Sequence, residues 1–299
     1  LECRRVLFRS PHRGVNMMPD EVVISADGRS STSRTRIPAG DPRGRGLFGR
    51  SGAAAGPVWQ EPFLCELLAL TGVPLLAAKL GPLGQVAVFS TVSRLDSPAE
   101  APMDAVLHGS ATMQRERAGF SQFSAEMRLA DGTLLLTAEF MSGAAALADI
   151  ARGAARPLEA AAARPLVADF GWKDAATRFL DGVTAEDAAA GRLTGCYRFP
   201  ADHPLVPGHF PGAPLLMGMA QWTAVADAAW ELAARLGRRG RIVVDGALRR
   251  PDGTEIFGVR GLTVDLDGAA PRLVCAKRLA FREPVRPGDG VLVEVAVAA

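Results

Sequence analysis

The sequence predicts an α+β chain of two related units, each a single long helix set against an antiparallel sheet. Three observations predict it. The 299 residues are too many for one small domain, and 48% hydrophobic with 22% charged residues is a globular balance. The chain repeats itself at a fixed offset. In each repeat a long apolar segment of helical period precedes segments that alternate apolar and polar residues, the strand period.

Composition excludes several function classes. With 34 Lys and Arg against 32 Asp and Glu the formal charge is +2, so no global field recruits nucleic acid or an anionic membrane surface. Cys3, Cys65, Cys196 and Cys275 are scattered, with no CxxC pair and no His-rich cluster, so neither a zinc site nor a disulfide framework is expected and a reducing cytoplasm fits. The longest apolar run, Leu64 to Leu80, is broken by Glu66, Pro74 and Lys79, short of the roughly 18 uninterrupted residues a bilayer span needs. A soluble, cytoplasmic protein is expected.

Residues 1–30 show no apolar periodicity, and Arg4, Arg5, Arg9 and Arg13 lie among turn formers without the apolar core of a signal peptide. They are expected to be a disordered or non-native leader. The opening LECRRVLFRS resembles translated sequencing-adapter read-through, which puts the native start at Met17, at Met18 or outside the sequence.

The first unit is expected over residues 31–143 and the second over 166–299. An offset of 162 pairs Thr32 with Thr194, Arg36 with Arg198, Pro38 with Pro200, Ala39 with Ala201 and Pro42 with Pro204. Without a gap it then pairs Gly46 with Gly208, Phe48 with Phe210, Gly56 with Gly218 and Leu70 with Leu232, where chance would give about three such matches. Each copy reads as a short strand (31–37; 193–199), a Gly/Pro-rich loop and a helix (57–76; 219–236). In the first copy strands follow near 85–95, 105–115, 120–129 and 134–140, with Asp131-Gly132 as a hairpin turn. Residues 144–165 are Ala-rich and are expected to be a helical linker across the surface.

The second copy inserts strand-like segments at 241–248 and 254–264 and rejoins the first at an offset of 185, pairing Pro102, Asp104, Val106 and Leu107 with Pro287, Asp289, Val291 and Leu292. By that offset it lacks about its last 28 residues, two closing strands. A truncated second unit with an open sheet edge is expected.

The most specific string in the chain is DHPLVPGHFPGAP, Asp202 to Pro214. The segment HFPGAP, followed by Gly218 and a long apolar helix, resembles the signature of the bacterial β-hydroxyacyl-acyl carrier protein dehydratases, whose fold is the hotdog. The resemblance implies a fused double hotdog: two central helices, each wrapped by an antiparallel sheet. It also implies a lyase acting on 3-hydroxyacyl thioesters in fatty acid or polyketide synthesis. The chain would be free-standing or part of a larger polyketide or polyunsaturated fatty acid synthase. No metal or nucleotide is implied, since acyl carrier protein, the partner, delivers the substrate on phosphopantetheine.

The family motif is a histidine, a helix-opening glycine nine positions later and an acidic residue fourteen positions after the histidine. The second copy has His209 and Gly218 but Thr223 at the acidic place. In the gap-free register the first copy has Leu47, Gly56 and Glu61 there. The resemblance implies one live site, His209 with Glu61, and one dead site marked by Leu47 and Thr223. His209 would be the base, with a neutral imidazole near its ordinary pKa of about 6.5, and Glu61 the acid, kept protonated by an apolar tunnel. The Gly218 N–H would hold the thioester oxygen. Phe210, Pro211, Gly212, Leu215 and Trp222 are the expected substrate contacts. Two rival functions are a catalytically silent acyl-binding or scaffolding protein and a thioesterase.

Overall fold

A computed structural model describes residues 4–5, 12–45, 57–158, 163–210, 212–268 and 270–298. Apolar alternation makes the strands. In Leu107–Arg117 the buried positions Leu107, Gly109, Ala111 and Met113 face one side and the intervening residues face water. In the first unit the strands of the main sheet are β1 (Glu21–Ile24), β2 (Ser30–Thr35), β3 (Gln85–Asp96), β4 (Leu107–Arg117), β5 (Phe120–Leu129) and β6 (Leu134–Ala146), and Gly44–Arg45 pairs with Val58–Trp59 in a separate two-stranded sheet. In the second they are β7 (Gly182–Asp187), β8 (Arg192–Arg198), β9 (Arg241–Arg249), β10 (Glu255–Asp265), β11 (Arg272–Phe281) and β12 (Gly290–Val297).

All twelve, with Arg4–Arg5 as a short strand beside β1, form one thirteen-stranded sheet in the order β1-β2-β4-β5-β6-β3-β11-β10-β9-β12-β8-β7. The two halves join where β3 pairs antiparallel with β11, Asp96 opposite Cys275 and Thr91 opposite Ala280. The sheet wraps two helices, α1 (Glu61–Leu80) and α2 (Gly218–Arg235), which also touch each other. Phe63, Leu67 and Leu68 of α1 and Trp222, Val225 and Leu232 of α2 belong to one continuous core. By length and composition α1 could cross a membrane, because the charges that interrupt its apolar run are few. Most of it is buried inside the fold, as expected of a core helix.

Three expectations are corrected. The edge of the second unit is not open. Its sheet reads β7-β8-β12-β9-β10-β11 where the first reads β1-β2-β4-β5-β6-β3, so β9 and β10 occupy the places that β5 and β6 hold in the first unit. The segments inserted after α2 thus fill the two positions that would otherwise be vacant, and β12 is paired on both sides. Residues 12–30 are part of the fold: Met18 and Val22 are buried and β1 pairs with β2, because its apolar residues complete the sheet face over α1. The linker is pinned. Arg156 N–H donates to Asp289 Oδ1 at 2.6 Å, Gly290 N–H donates to the Arg156 carbonyl at 2.9 Å, and among its described residues the helical part is Leu147–Ala151.

Candidate functional site

The helices start where local chemistry allows. Helix α1 opens at Glu61 because Pro62, in the first turn, gives up an N–H that has no intrahelical partner there. Helix α2 opens at Gly218, and a Cβ at that position would lie 2.8 Å from the Phe281 ring of β11. The two starts are 157 positions apart, not 162. The first unit therefore carries five more residues than the second between its strand and its helix, and the structural counterpart of Thr223 is Glu66.

That difference changes which carboxyl shares a cavity with His209. An apolar cavity of about 290 Å³ between the units is lined by His209, Gly218 and Gln221 of the second and Glu66 of the first. His12, Glu66 and His209 each bring one donor atom within 4.8 Å of the other two. His209 is 7% exposed and Glu66 6%. The His209 Nδ1–H donates to the Leu215 carbonyl at 3.3 Å; a carbonyl only accepts, so Nε2 carries the lone pair. Burial lowers the His209 pKa to about 4, against a small upward pull from that hydrogen bond. Burial raises the Glu66 pKa to about 7, against the pull of the Arg43 charge. Both groups are neutral between these values.

His12 comes from the segment expected to be a leader. Its ring lies 5.2 Å from that of His209 and 5.4 Å from that of Phe210, and its Nε2 is 4.0 Å from Glu66 Oε1. The segment crosses the HFPG loop as a strap. Arg13 N–H donates to the Gly208 carbonyl at 2.6 Å, and Asn16 Nδ2 donates to the carbonyls of Leu205 and Pro207, each at 2.9 Å. Gly208, at φ +84°, allows the crossing, since a Cβ there would fall 2.0 Å from the Arg13 carbonyl oxygen. Burial, with help from His209 and Arg13, lowers the His12 pKa to about 3. A tetrahedral zinc with bonds of about 2.0–2.2 Å needs donors about 3.4 Å apart, and His12 Nε2 stands 4.0 Å from Glu66 Oε1, so that pair would have to close to hold one.

Glu61 lies elsewhere, a correction to the expected pairing with His209. It lines a second, much smaller cavity that shares no residue with the first. Arg45 holds it at 2.7 and 3.0 Å, the Leu273 N–H donates to it at 3.4 Å, and Arg272 stands 4.0 Å away. Burial raises its carboxyl pKa while the Arg45 charge pulls it back.

This second cavity is the pseudo-symmetric counterpart of the first. The offset of 157 relates Gly218 to Glu61, Glu66 to Thr223 and Leu70 to Asp227, and the offset of 185 relates Val88 to Leu273; all eight residues line the two cavities in matching places. Its volume is about 20 Å³, room for about one water. Lys173 pairs with Asp227 there, and the Phe179 N–H donates to the same carboxylate at 2.8 Å. The Thr223 hydroxyl donates to the Met219 carbonyl at 2.7 Å, one turn back on its own helix.

Of the other expected contacts, Phe210 and Leu215 line the large cavity. Gly212 makes a turn at φ +81° outside the lining, and Trp222 is wholly buried in the core. Pro211, Leu47 and Gly56 lie outside the described residues.

No protein-family model matches the chain. Among solved structures it is similar to a thioesterase-superfamily protein of Thermus thermophilus, at 14% identity over 40% of this chain and 84% of that one, with a TM-score of 0.33. It is also similar to the E. coli PaaI protein of the phenylacetic acid degradation operon (13%, 40% and 79%, 0.32). A third is a point mutant of the fluoroacetyl-CoA-specific thioesterase FlK (15%, 41% and 89%, 0.34). Likenesses this distant decide nothing about chemistry. The class rests on the chain's own geometry, in which a long helix wrapped by an antiparallel sheet fits the hotdog fold.

Proposed function

We propose that the chain is a fused double hotdog that dehydrates 3-hydroxyacyl thioesters to 2-enoyl thioesters, presented on the phosphopantetheine of acyl carrier protein. One observation carries this: an imidazole from one unit and a carboxyl from the other meet in a single apolar cavity, each neutral over a common pH range. Dehydration needs that starting state. His209 Nε2 takes the C2 proton, the C3–O bond breaks, and the Glu66 proton joins the departing hydroxyl to give water. The His209 imidazolium then returns a proton to the Glu66 carboxylate, and burial favours that reset because it disfavours both ions. Gly218 lines the cavity as the first residue of its helix, where an N–H has no intrahelical partner, and that N–H would hold the thioester oxygen as enolate charge builds.

The second site is closed in this reading, since about 20 Å³ filled by ion pairs admits no acyl chain. A thioesterase would use an ionised carboxylate to activate water, and a carboxyl held protonated up to about pH 7 suits the acid role better. The free thiols of Cys65, Cys196 and Cys275 support a cytoplasmic location.

The test supplies 3-hydroxyacyl pantetheine thioesters and follows both formation of the conjugated enoyl product and release of free thiol. Wild type should form enoyl thioester without thiol release, and His209→Ala and Glu66→Gln should each lose about 10²–10⁴ in rate. Thiol release would point to a thioesterase, and binding without turnover to a silent acyl-binding protein. Full activity in Glu66→Gln would overturn the assignment of the acid.

A further inference from the structure

Gln221 is a buried group that the dehydration steps above leave unused. It is 4% exposed, it lines the same large cavity as Glu66 and His209, and its Oε1 has no hydrogen-bond partner among the described residues. Buried side-chain polar atoms nearly always have a partner, and one without is destabilising unless a ligand supplies what is missing. Gln221 stands three residues after Gly218, so both face the same side of α2. A substrate whose thioester oxygen lies at the Gly218 N–H therefore carries its C2 and C3 along the face that presents the Gln221 amide.

We propose that Gln221 recognises the 3-hydroxyl group of the substrate, accepting its hydrogen while Glu66 donates to its oxygen. The assignment rests on the dehydratase reading and adds the residue that selects hydroxylated chains. A hydroxyl has one hydrogen to give and lone pairs to receive. Glu66, protonated, satisfies a lone pair on the oxygen that will leave, and the hydroxyl hydrogen needs an acceptor on another side. His209 is occupied with C2, His12 lies against the His209 ring on the Glu66 side, and Phe210, Leu215 and Leu216 of the lining offer no acceptor. Holding the hydroxyl from two directions turns the C3–O bond toward the acid. A saturated chain brings no polar group to C3 and leaves the amide unpartnered, so the site rejects it.

The test uses two ligands that do not turn over, 3-hydroxyhexanoyl and hexanoyl pantetheine with an amide in place of the thioester, titrated calorimetrically into the full chain. Wild type should prefer the hydroxylated ligand by about tenfold or more, the equivalent of about 1.4 kcal/mol. Gln221→Met, which keeps the length and removes the amide, should abolish the preference and leave hexanoyl affinity within about twofold. If Gln221→Met does not fold, Gln221→Asn withdraws the amide by one methylene and should reduce the preference in the same direction. A preference that survives in the variant, or an equal weakening of both ligands, would overturn the proposal. If wild type shows the preference but never dehydrates the thioester, the dehydratase reading fails and the hydroxyl assignment stands. Dehydration without any preference overturns the assignment alone.

Discussion

Glu61 and Glu66 lie five residues apart on one helix and are comparably buried, yet they differ chemically because of what stands opposite each. Two guanidinium nitrogens of Arg45, a group that does not give up its proton, hold Glu61 as a counter-charge. Glu66 faces two neutral imidazoles and an apolar wall, and burial keeps its proton on. This sets the pH dependence. His209 must be neutral to act as base, so kcat/KM should fall as the pH drops through about 4. Glu66 must be protonated, so kcat/KM should fall as the pH rises through about 7. A pH profile of kcat/KM on a 3-hydroxyacyl thioester checks both limbs, and an optimum on the alkaline side of 7 would mean that another group is the acid. The His209 half of the site is legible in the sequence because HFPGAP is a contiguous string whose geometry is local. Glu66 is hidden by the five extra residues before α1, although aligning the helix starts instead of carrying the strand offset through the loop exposes it. Gln221 gives no signal of its own, since nothing in the string MGMAQW shows that its amide lacks a partner.

Among the elements, the strap over the HFPG loop shows how a segment without periodicity can enter a site. Residues 12–16 carry no apolar pattern; loop carbonyls and Gly208, distant in sequence, hold them in place. Gly208→Ala meets both a positive φ and the Arg13 carbonyl, so the strap must lift. Backbone strain of this kind costs about 1–3 kcal/mol. The variant should unfold at lower urea concentration and lose kcat/KM, because the loop that carries His209 shifts when the strap lifts from Gly208. An unchanged unfolding midpoint with full activity would show that the strap is dispensable. Strand positions are more legible than the strap, because alternation marks β3 to β6, β9 and β10 in the sequence itself, although β11 goes unmarked there. Their order in the sheet is not, since pairing depends on which edges remain free once the other strands have docked.

At the level of the whole molecule, the closed cavity joins the two units. Arg45 of the first unit also donates to the Pro271 carbonyl at 2.6 Å, and Glu61 accepts from the Leu273 N–H, both residues of the second. Removing one partner of a buried ion pair strands the other charge and costs about 3–5 kcal/mol. Arg45 keeps Glu100 as a second partner at 3.1 Å, so Glu61→Gln should lower the stability measured by urea unfolding by less than that, while the folded protein keeps its rate in the assay on 3-hydroxyacyl thioesters proposed above. Loss of rate with unchanged stability would return Glu61 to the role that the motif spacing first implied.

By itself the sequence determined that there are two helix-and-sheet units, that they are copies of one another, and that the second supplies a histidine on a Gly/Pro loop. Those are local properties, set by periodicity and by short strings. Tertiary structure decided which carboxyl faces that histidine, which strands fill the second sheet, and which cavity stays open. A side chain's partner, its protonation and the space around it depend on residues hundreds of positions away, which are brought near only when the apolar faces close.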